Sequence, residues 1–429
     1  MKKLFTIFLL TIVLSKMAYS TRRLVDPNVI PNTVPNVYAT FQAAWYSTIN
    51  GDTLLIKPGN YNIGTITIDR GVTIQPDTVN GAVTLTGNIN VGILNGNSPL
   101  NVIGIYLNGA FNGNTRSNLL FIGVKCNSIM LFGFEKNNFI DCVISGNFEC
   151  YNGECGIFRC TISGDTKLHY VKMIASKTNN LILNSLFGQQ NDTVNRNLII
   201  ADTIQGYLDY RCEDRVCVIA NNLINELDIS AWNSTVNKEN QIWNNEFYNE
   251  AKLAFPFRFT PKYNLDISNN LSIGKMPIGV DNNCASYYSL SDFISYNYFF
   301  HNIWASCHVA WSSNISLSPG PNTNVPGVFK WTYNGTALGN SQGSGAFPFT
   351  NIAGTTDIID AGNPDPKYMD IDMTVNDRGR LGGPYSILNY SPTVNPSNGK
   401  AYIYDIEIPD VISSPNQPIQ IKAQGYHRN

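Results

Sequence analysis

The residues best suited to chemistry crowd a short segment near the end of the chain. Asp370, Asp372, Asn376 and Asp377 fall within eight positions, and Asp365 lies five positions earlier. Oxygen donors this dense in a turn-rich stretch suit calcium, which takes about six to eight oxygen ligands, although the spacing is not that of an EF-hand. We expect such an ion to be structural. The alternative is that these side chains close Asx-turns and cap backbone groups without a metal.

Cysteine is the second residue type whose spacing suggests chemistry. The nine cysteines fit an oxidising compartment. Cys150 with Cys155, and Cys212 with Cys217, are each separated by four residues, so both pairs are candidates for small disulfide-closed loops. Three others recur at nearly equal spacing and could stack as buried, reduced thiols: Cys126, Cys142 and Cys160. Zinc is disfavoured because the chain has no C-x2-C pair and its four histidines are scattered.

The elements that would position these residues form a repeat. Five Asn pairs are each followed at once by a short, mostly apolar run: Asn137–Asn138, Asn179–Asn180, Asn221–Asn222, Asn244–Asn245 and Asn269–Asn270. They lie 42, 42, 23 and 25 residues apart, which fits one period of roughly 21–25 residues with two copies skipped. A period of this length predicts a solenoid. Asn tolerates the left-handed backbone of a corner, and stacked Asn side chains can form an amide ladder.

Composition narrows the class of partner. Hydrophobic residues make up 43% of the 429-residue chain, which is enough for a large core. Charged residues make up only 14% and the net charge is −2, so we expect no nucleic-acid partner. The polar surface must therefore be built mainly from Asn, Thr, Ser, Gly and Tyr.

The N-terminal residues predict export. Lys2 and Lys3 precede the apolar stretch Leu4–Leu14, and Ala18–Ser20 is a small-x-small cleavage signal. Residues 1–20 are therefore predicted to be a signal peptide. The apolar stretch is too short to span a bilayer, and no later stretch approaches the length that spanning requires, so no transmembrane segment is predicted.

A known family is suggested by the residues that follow. Residues 40–49 have helical spacing, with one apolar face formed by Phe41, Ala44, Trp45 and Ile49. Gly51–Asp52 ends this stretch, and a strand over 53–56 leads into Pro58–Gly59 and Tyr61. This order resembles the N-terminal cap and first coil of pectate-lyase-like right-handed parallel β-helix proteins. The resemblance implies that the helix covers the open end of the first coil, which would otherwise expose core and strand edges.

The C-terminal part contains a second resemblance. Residues 360–386 are similar to a tail segment of exported parallel β-helix proteins from Bacteroidota-type bacteria, with the pattern DAGNPD, then DxDxxxNDxG, then GGP. Met373 stands where that pattern prefers Gly. Beyond it, residues 401–425 contain two alternating segments around a Pro-rich turn, which predicts a β-hairpin.

These signals combine into one architecture. We predict an all-β protein, a right-handed parallel β-helix with an N-terminal capping helix and a C-terminal β-hairpin. Its predicted segments are a signal peptide over 1–20, an extended lead-in over 21–35, the β-helix over 36–311, a loop-rich tail with the calcium turn over 312–390, and the hairpin over 391–429.

No catalytic residue is predicted. A polysaccharide lyase needs a base and a group that neutralises a uronate, and a glycoside hydrolase needs two carboxylates about 5–9.5 Å apart. Five basic residues of the solenoid have no compact acidic cluster beside them in the sequence: Lys125, Lys136, Arg159, Lys167 and Lys172. Residues one period apart could still meet, because neighbouring coils stack about 4.8 Å apart.

Two further segments have a functional and a structural interpretation. The charged run Asp209–Cys217 is either a binding loop or a solvated loop with weak ion pairs, and we favour the second. The aromatic-rich segment 281–311 either stacks on sugars or seals the solenoid core, and we favour the core.

The sequence thus favours a binding role. The first hypothesis is a non-catalytic, exported scaffold or adhesin at the cell surface, in the periplasm or in an outer-membrane assembly, with a protein partner. The second hypothesis is a polysaccharide-active enzyme or a carbohydrate-binding module.

Overall fold

The computed structural model describes most of the chain between residues 21 and 317 and parts of its C-terminal region. The described ranges are 21–31, 33–78, 81–95, 98–114, 118–133, 136–184, 196–211, 216–230, 240–255, 265–268, 270–272, 276–280, short strands between 294 and 317, most of 360–386, 401–407 and 422–427. The predicted signal peptide lies outside them. The chain divides into two compact units, Met1–Ile387 and Leu388–Asn429.

The first unit is a parallel β-solenoid, which confirms the predicted all-β fold. Within the described ranges, thirty strands join in one sheet and pair in parallel with strands of neighbouring coils. The first fifteen are β1 Arg22–Val25, β2 Val37–Tyr38, β3 Thr53–Ile56, β4 Gly59–Arg70, β5 Thr73–Pro76, β6 Val83–Asn95, β7 Leu100–Ile103, β8 Ile105–Asn114, β9 Leu119–Ile122, β10 Lys125–Phe132, β11 Asn137–Ile140, β12 Val143–Ile144, β13 Phe148–Phe158, β14 Thr161–Ile162 and β15 Thr166–Ile174.

The later strands continue the solenoid past residue 311, the predicted end of the β-helix. They are β16 Lys177–Thr178, β17 Leu181–Asn184, β18 Arg196–Ile200, β19 Thr203–Arg211, β20 Val216–Ala220, β21 Leu223–Ser230, β22 Asn240–Trp243, β23 Glu246–Phe255, β24 Leu265–Ser268, β25 Leu271–Ser272, β26 Met276–Val280, β27 Ile294–Ser295, β28 Tyr298–Phe299, β29 Ile303–Ala305 and β30 Ser316–Leu317. Strand β28 pairs with β30, so the coils reach at least Leu317.

The core lies inside the coils and is built from columns of like residues. One column of buried side chains passes through successive paired strands: Leu85, Leu107, Cys126, Ile144 and Ile162. Four buried phenylalanines from two sets of strands meet across the core, with successive ring centroids 4.7–5.2 Å apart: Phe111, Phe121, Phe139 and Phe148. Successive side chains of a strand point alternately into the core and out to the surface. Only every second residue of a strand is therefore available for a surface site.

One corner of the coil explains the Asn pairs. Six non-glycine residues at this corner have positive φ of 52–59°: Asp141, Arg159, Ala175, Ala201, Asn221 and Asn244. The next residue is buried in each case: Cys142, Cys160, Ser176, Asp202, Asn222 and Asn245. Two of the predicted Asn pairs therefore occupy this corner, and Asn270 continues the buried column.

Two of the predicted pairs do not occupy that corner. Asn137–Asn138 begins β11, and Asn179–Asn180 lies at another corner between β16 and β17. The interpretation of all five pairs as one repeated position was therefore wrong. The true equivalents of the later Asn pairs are Asp141–Cys142, Arg159–Cys160, Ala175–Ser176 and Ala201–Asp202. The residue types at this corner differ from coil to coil, but the left-handed backbone conformation is the same.

The buried column is a continuous hydrogen-bonded ladder, which we call the inner ladder. Its seven members are Cys142, Cys160, Ser176, Asp202, Asn222, Asn245 and Asn270. The backbone N–H of each of the first six donates to the side chain of the next member, at 2.6–3.4 Å. This satisfies backbone donors that the left-handed corner removes from regular strand pairing.

The predicted capping helix is present as α1, Phe41–Ser47. Thr40 begins it by accepting a hydrogen bond from the Ala43 N–H at 3.2 Å. Phe41, Ala44 and Trp45 are buried, and the helix contacts strands of the first coils. Ile49, predicted to belong to the buried face, lies beyond the helix end and is 52% exposed.

The remaining predicted segments are partly described. The lead-in over 21–35 contains β1, which pairs in register with β3, so the solenoid begins earlier than residue 36. In the second unit, β31 Ala401–Glu407 and β32 Lys422–His427 pair antiparallel, which confirms the predicted hairpin. Most of the aromatic-rich segment 281–311 lies outside the described residues. Within the described part of the chain, no helix combines the length and apolar character needed to cross a bilayer.

Candidate functional site

Three consecutive coils present aromatic side chains on the outer surface of the solenoid. Phe132 pairs with Tyr151, and the Cys150–Leu168 pairing places His169 next in the same row. The Phe132 and Tyr151 rings stack with centroids 5.2 Å apart and an interplanar angle of 19°. The Tyr151 and His169 ring centroids are 5.4 Å apart at 83°. We call Phe132, Tyr151 and His169 the aromatic strip.

The strands hold the aromatic strip outward because their alternate residues fill the core. Leu131, Cys150 and Leu168, each immediately before a strip residue, are at most 1% exposed. Phe132 is 40% exposed, and Met130 in the same strand is 41% exposed. Large apolar side chains left on a sheet face in register are the type of surface that binds a ligand.

A charged pair lies directly beside the aromatic strip. Lys167 Nζ is 3.1 Å from Glu149 Oε1, and the Tyr151 hydroxyl donates to Glu149 Oε2 at 3.3 Å. The bond to Glu149 raises the pKa of Lys167, and burial, followed by the nearby Glu149 charge, raises the pKa of Tyr151. At neutral pH the lysine is charged and the tyrosine hydroxyl keeps its proton, so the row offers donors and acceptors next to flat rings.

A second charged cluster occupies β13 and its neighbours. The Glu154 carboxylate lies 3.9 Å from Lys136 Nζ and 3.5 Å from Lys172 Nζ. Arg159 and Asp141 form a further pair at 2.6 Å. These basic residues have no acidic neighbours in the sequence. In the folded chain, however, they form ion pairs with carboxylates of adjacent coils.

A sequence signal for these pairs existed. In four pairs the partners are 18 positions apart, which is the local coil length: Lys136–Glu154, Asp141–Arg159, Glu149–Lys167 and Glu154–Lys172. Complementary charges at one fixed separation would have identified them. The interval is shorter than the period that the Asn pairs suggested, and for that reason the pattern was missed.

The predicted calcium residues are brought together in part. Asp370 accepts hydrogen bonds from the N–H groups of Asp377 and Gly383, and Asp377 Oδ1 accepts from the Asp360 N–H at 2.7 Å. These contacts are the turn-closing bonds of the metal-free alternative. Asp372 lies outside the described residues, so the calcium site stays a prediction. Among the described residues, no group of three or more His, Cys, Asp or Glu side chains could hold a metal.

The same tail segment docks on the solenoid corners. Asn244 Nδ2 donates to Asn376 Oδ1 at 2.7 Å and to the Asp377 carbonyl at 2.8 Å. Asn221 Nδ2 donates to the Gly382 carbonyl. The Tyr368 ring packs edge-on against Trp243, with centroids 4.8 Å apart. The two members of these Asn pairs therefore have different partners, since the first binds the tail and the second belongs to the inner ladder.

The described cysteines are unbridged thiols. Cys150 and Cys155, predicted as a candidate disulfide, are both free and fully buried. The other pair, Cys212 with Cys217, lies where side chains are not described. The three stacked cysteines are buried and reduced, as predicted: Cys126, Cys142 and Cys160. Burial raises the pKa of the Cys126 thiol to about 12 and raises those of Cys155 and Cys160.

We expect the five described thiols to resist alkylation in the folded protein. Burial keeps all five from the reagent, and in Cys126, Cys155 and Cys160 the raised pKa also suppresses the thiolate, so iodoacetamide should react at least about a hundredfold more slowly than in denaturant. Peptide mass spectrometry after timed labelling at pH 8 measures this for each cysteine. The same protein in guanidinium is the control, and rapid native labelling of Cys126 or Cys160 would contradict the buried arrangement.

The charged run Asp209–Cys217 is only partly described. Asp209 and Tyr210 belong to β19, with Tyr210 buried, and residues 212–215 lie outside the described part. The preference for a solvated loop therefore stays a prediction.

Comparison with known proteins supplies no family. No family model matches the chain, and no curated protein matches it. Among solved structures, the crystal structure of pectate lyase Pel9A is similar, with 12% sequence identity and a TM-score of 0.34, over 86% of this chain and 97% of that one. This likeness is too low to carry an argument about the site. The parallel β-helix is established by the strand pairings themselves.

Proposed function

We propose that this protein is an exported, non-catalytic binding scaffold of the cell envelope or surface, and that it binds polysaccharide along the aromatic strip. The observation that carries the proposal is the row of Phe132, Tyr151 and His169 on the outer face, in which each ring contacts the next. The Phe132 and Tyr151 rings stack on each other, so the strip offers apolar ring edges and the Tyr151 hydroxyl to the apolar faces and hydroxyl groups of sugar rings.

The aromatic strip and the neighbouring charged pair offer the apolar contacts and the hydrogen-bonding groups that a sugar site needs. Rings about one coil apart can contact successive positions along a chain, and Lys167 with Glu149 can exchange hydrogen bonds with sugar hydroxyls. The backbone beneath is held by the Phe132–Tyr151 and Cys150–Leu168 pairings, so little conformational entropy is lost when a ligand binds. A preorganised flat surface therefore suits an extended polymer better than a small ligand, which prefers a concave pocket.

Export is supported by the predicted signal peptide over residues 1–20. The tail segment, with its predicted calcium ligands Asp370, Asp372, Asn376 and Asp377, would have a structural role, because Asn376 and Asp377 already join it to the corner at Asn244. A protein partner in the envelope is compatible with the same scaffold, with the hairpin β31–β32 as a separate candidate for strand pairing.

A polysaccharide lyase is the second candidate function. It is favoured by the convergence of Lys136 and Lys172 on Glu154, since a uronate carboxylate could exchange with Glu154 for these amines while a lysine acts as a base. The scaffold is preferred because Lys136, Lys172 and Lys167 each pair with a carboxylate, so none of these amines is placed to serve as a base.

Binding can be tested with a panel of neutral and uronate polysaccharides in affinity electrophoresis and calorimetry. Replacing Tyr151 by alanine is expected to weaken binding about tenfold or more, the loss typical of an aromatic anchor. Tyr106→Ala is the matched control, because Tyr106 is 43% exposed but lies outside the strip. We expect it to leave binding unchanged.

Two outcomes would contradict the proposal. Equal affinity of the wild type and Tyr151→Ala for every bound polysaccharide would exclude the aromatic strip as the site. Release of unsaturated uronate products, lost in Glu154→Gln but not in Tyr106→Ala, would replace the scaffold by the lyase.

A further inference from the structure

The first coil contains a buried carboxylate that receives three hydrogen bonds. The side chain of Asp52, just after α1, is 0% exposed. Its Oδ1 accepts from the backbone nitrogen of Thr21 at 2.9 Å, and its Oδ2 accepts from Arg23 Nε at 2.7 Å and from the Ile49 N–H at 3.0 Å. The carboxylate therefore joins the start of β1 to the end of the capping helix.

The position of the Thr21 nitrogen is fixed from both sides. Strand β1 pairs with β3 in the register Arg22 to Thr53, and the Thr53 N–H donates to the Thr21 carbonyl at 3.0 Å. Asp52 immediately precedes β3, so the pairing that aligns the strands also sets the Thr21 nitrogen over the carboxylate. This contact follows from the fold of the first coil and does not depend on a flexible side chain.

Asp52 has one ionic partner in the part of the chain that the structure describes. Arg23 is its ionic partner, with a side chain 12% exposed that also donates to the Tyr38 hydroxyl at 3.0 Å. Burial alone would lower the pKa of Arg23, and the bonds to Asp52 and Tyr38 more than reverse that effect. On the other side, Arg70 lies over the Trp45 ring at 5.0 Å, donates to the Thr48 carbonyl and pairs with Asp69.

We propose that signal-peptide removal between Ser20 and Thr21 completes this site, so that the new α-ammonium of Thr21 forms an ion pair with Asp52 and fastens the capping helix to the first strand. The inference rests on the proposed export of the protein. Its geometric basis is that the nitrogen which cleavage would release already lies 2.9 Å from a fully buried carboxylate oxygen.

The chemical step balances with water and a signal peptidase. Hydrolysis breaks the amide bond between the Ser20 carbonyl carbon and the Thr21 nitrogen. The hydroxyl of water goes to the Ser20 carboxyl group, and a proton goes to the Thr21 amine. At neutral pH that amine takes a further proton from solvent and becomes an ammonium group with three donors in place of one.

Processing would therefore strengthen the cap without a rearrangement. An ammonium group beside the carboxylate adds the attraction between two opposite charges to the hydrogen bond that the Thr21 nitrogen already makes. In the unprocessed chain the same nitrogen is an amide and provides only the weaker bond. The first coil and α1 would thus reach full stability only in the mature protein.

The pH dependence has a definite sign. An ammonium group beside a buried carboxylate has a pKa above the usual α-amino value of about 7.7–8.0. Its stabilisation is therefore complete below that value and is lost as pH rises through the raised pKa. A neutral amide at the same position gives no such loss.

The test compares two mature chains, one released from a fusion with Thr21 as its first residue and one carrying Gly-Ser before Thr21. Hydrogen exchange in α1 and β1 is measured from pH 6.5 to 10. We expect exchange about tenfold slower in the chain with free Thr21 below pH 8, which corresponds to about one pKa unit of interaction. The difference should disappear toward pH 10. In an Asp52→Asn background the extension should have no effect.

The outcomes separate this inference from the proposed function. Equal exchange in the two chains at every pH would overturn the ion pair, even if export and polysaccharide binding hold. N-terminal sequencing of the exported protein is expected to begin at Thr21, and a different first residue would overturn the processing site. Failure of polysaccharide binding would leave both results unaffected. The Gly-Ser extension keeps the test valid should Asp52→Asn fail to fold.

Discussion

Replacing Asn245 by alanine is expected to lower the free energy of unfolding by about 3–5 kcal/mol. Asn245 is fully buried, and its amide donates to the Ile219 carbonyl at 2.7 Å and to Asn270 Oδ1 at 3.0 Å. Its own oxygen accepts from the backbone and side-chain amides of Asn222. The substitution leaves several buried polar groups without partners, each costing about 1–3 kcal/mol, and adds a cavity.

Urea unfolding followed by circular dichroism measures this loss. Asn101→Ala is the matched control, because Asn101 is only partly buried on the sheet and its amide bonds one side chain, Thr73 Oγ1, at 3.1 Å. We expect that control to cost about 1 kcal/mol or less. A loss for Asn245→Ala no larger than that for Asn101→Ala would show that the inner ladder is not a main source of stability.

The inner ladder also shows what the sequence could predict. The pairs Asn221–Asn222 and Asn244–Asn245 identified a solenoid, a left-handed corner and a stacked amide column, and the structure contains all three. The earlier rungs could not be recognised, because Cys142, Cys160 and Ser176 use a thiol or hydroxyl for the same bonds. Backbone geometry imposes the position, and any small polar side chain can fill it.

Coil length limited the prediction in a second way. Successive rungs of the inner ladder from Cys142 to Asn222 are 18, 16, 26 and 20 positions apart. Loops of different length enter between the corners, so a single period fitted to five Asn pairs misaligned two of them. The charged pairs beside the aromatic strip depend on the shorter local interval, and a search at the average period does not find them.

The sequence could predict the turn-rich character of the tail segment but not its contact with the solenoid corner. Its pattern of Asp, Asn and Gly indicated a turn-rich structure, which the bonds of Asp370 and Asp377 confirm. That Asn376 would meet Asn244, far earlier in the chain, has no local signal in either segment. Both are Asn residues whose amides could equally have closed turns of their own.

Asp202 is the rung of the inner ladder that departs from a simple rule. The side chain of each of the other six members bonds to a backbone carbonyl of the coil before it. That carbonyl belongs to the residue three positions before the equivalent ladder position of that coil. The acceptors are the carbonyls of Phe121, Phe139, Ile157, Ile199, Ile219 and Ile242. By the same rule Asp202 would donate to the Met173 carbonyl, which requires a proton on its carboxyl group.

The environment of Asp202 favours that proton. Its Oδ1 accepts from the Ser176 N–H at 2.6 Å, while its Oδ2 is buried with no hydrogen-bond partner among the described residues. Burial raises the pKa of this carboxyl well above its usual value, against the lowering effect of the Ser176 and Ile200 amides. No charged neighbour in the described part of the chain contributes to that shift. The folded protein therefore holds Asp202 as a neutral acid over a pH range in which the unfolded chain ionises it.

Replacing Asp202 by asparagine is therefore expected to stabilise the protein increasingly as pH rises. Above the unfolded pKa of about 3.9 the folded state binds one proton more, so wild-type stability falls by about 1.4 kcal/mol per pH unit until the raised pKa is reached. Asparagine supplies the missing donor permanently and removes that slope. Urea midpoints from pH 4.5 to 8 measure it, with Asp69→Asn, at a pair whose carboxylate is 48% exposed, as the control. Parallel pH profiles for wild type and Asp202→Asn would mean that Asp202 is ionised in the fold, and the ladder would then contain a buried charge that no described residue neutralises.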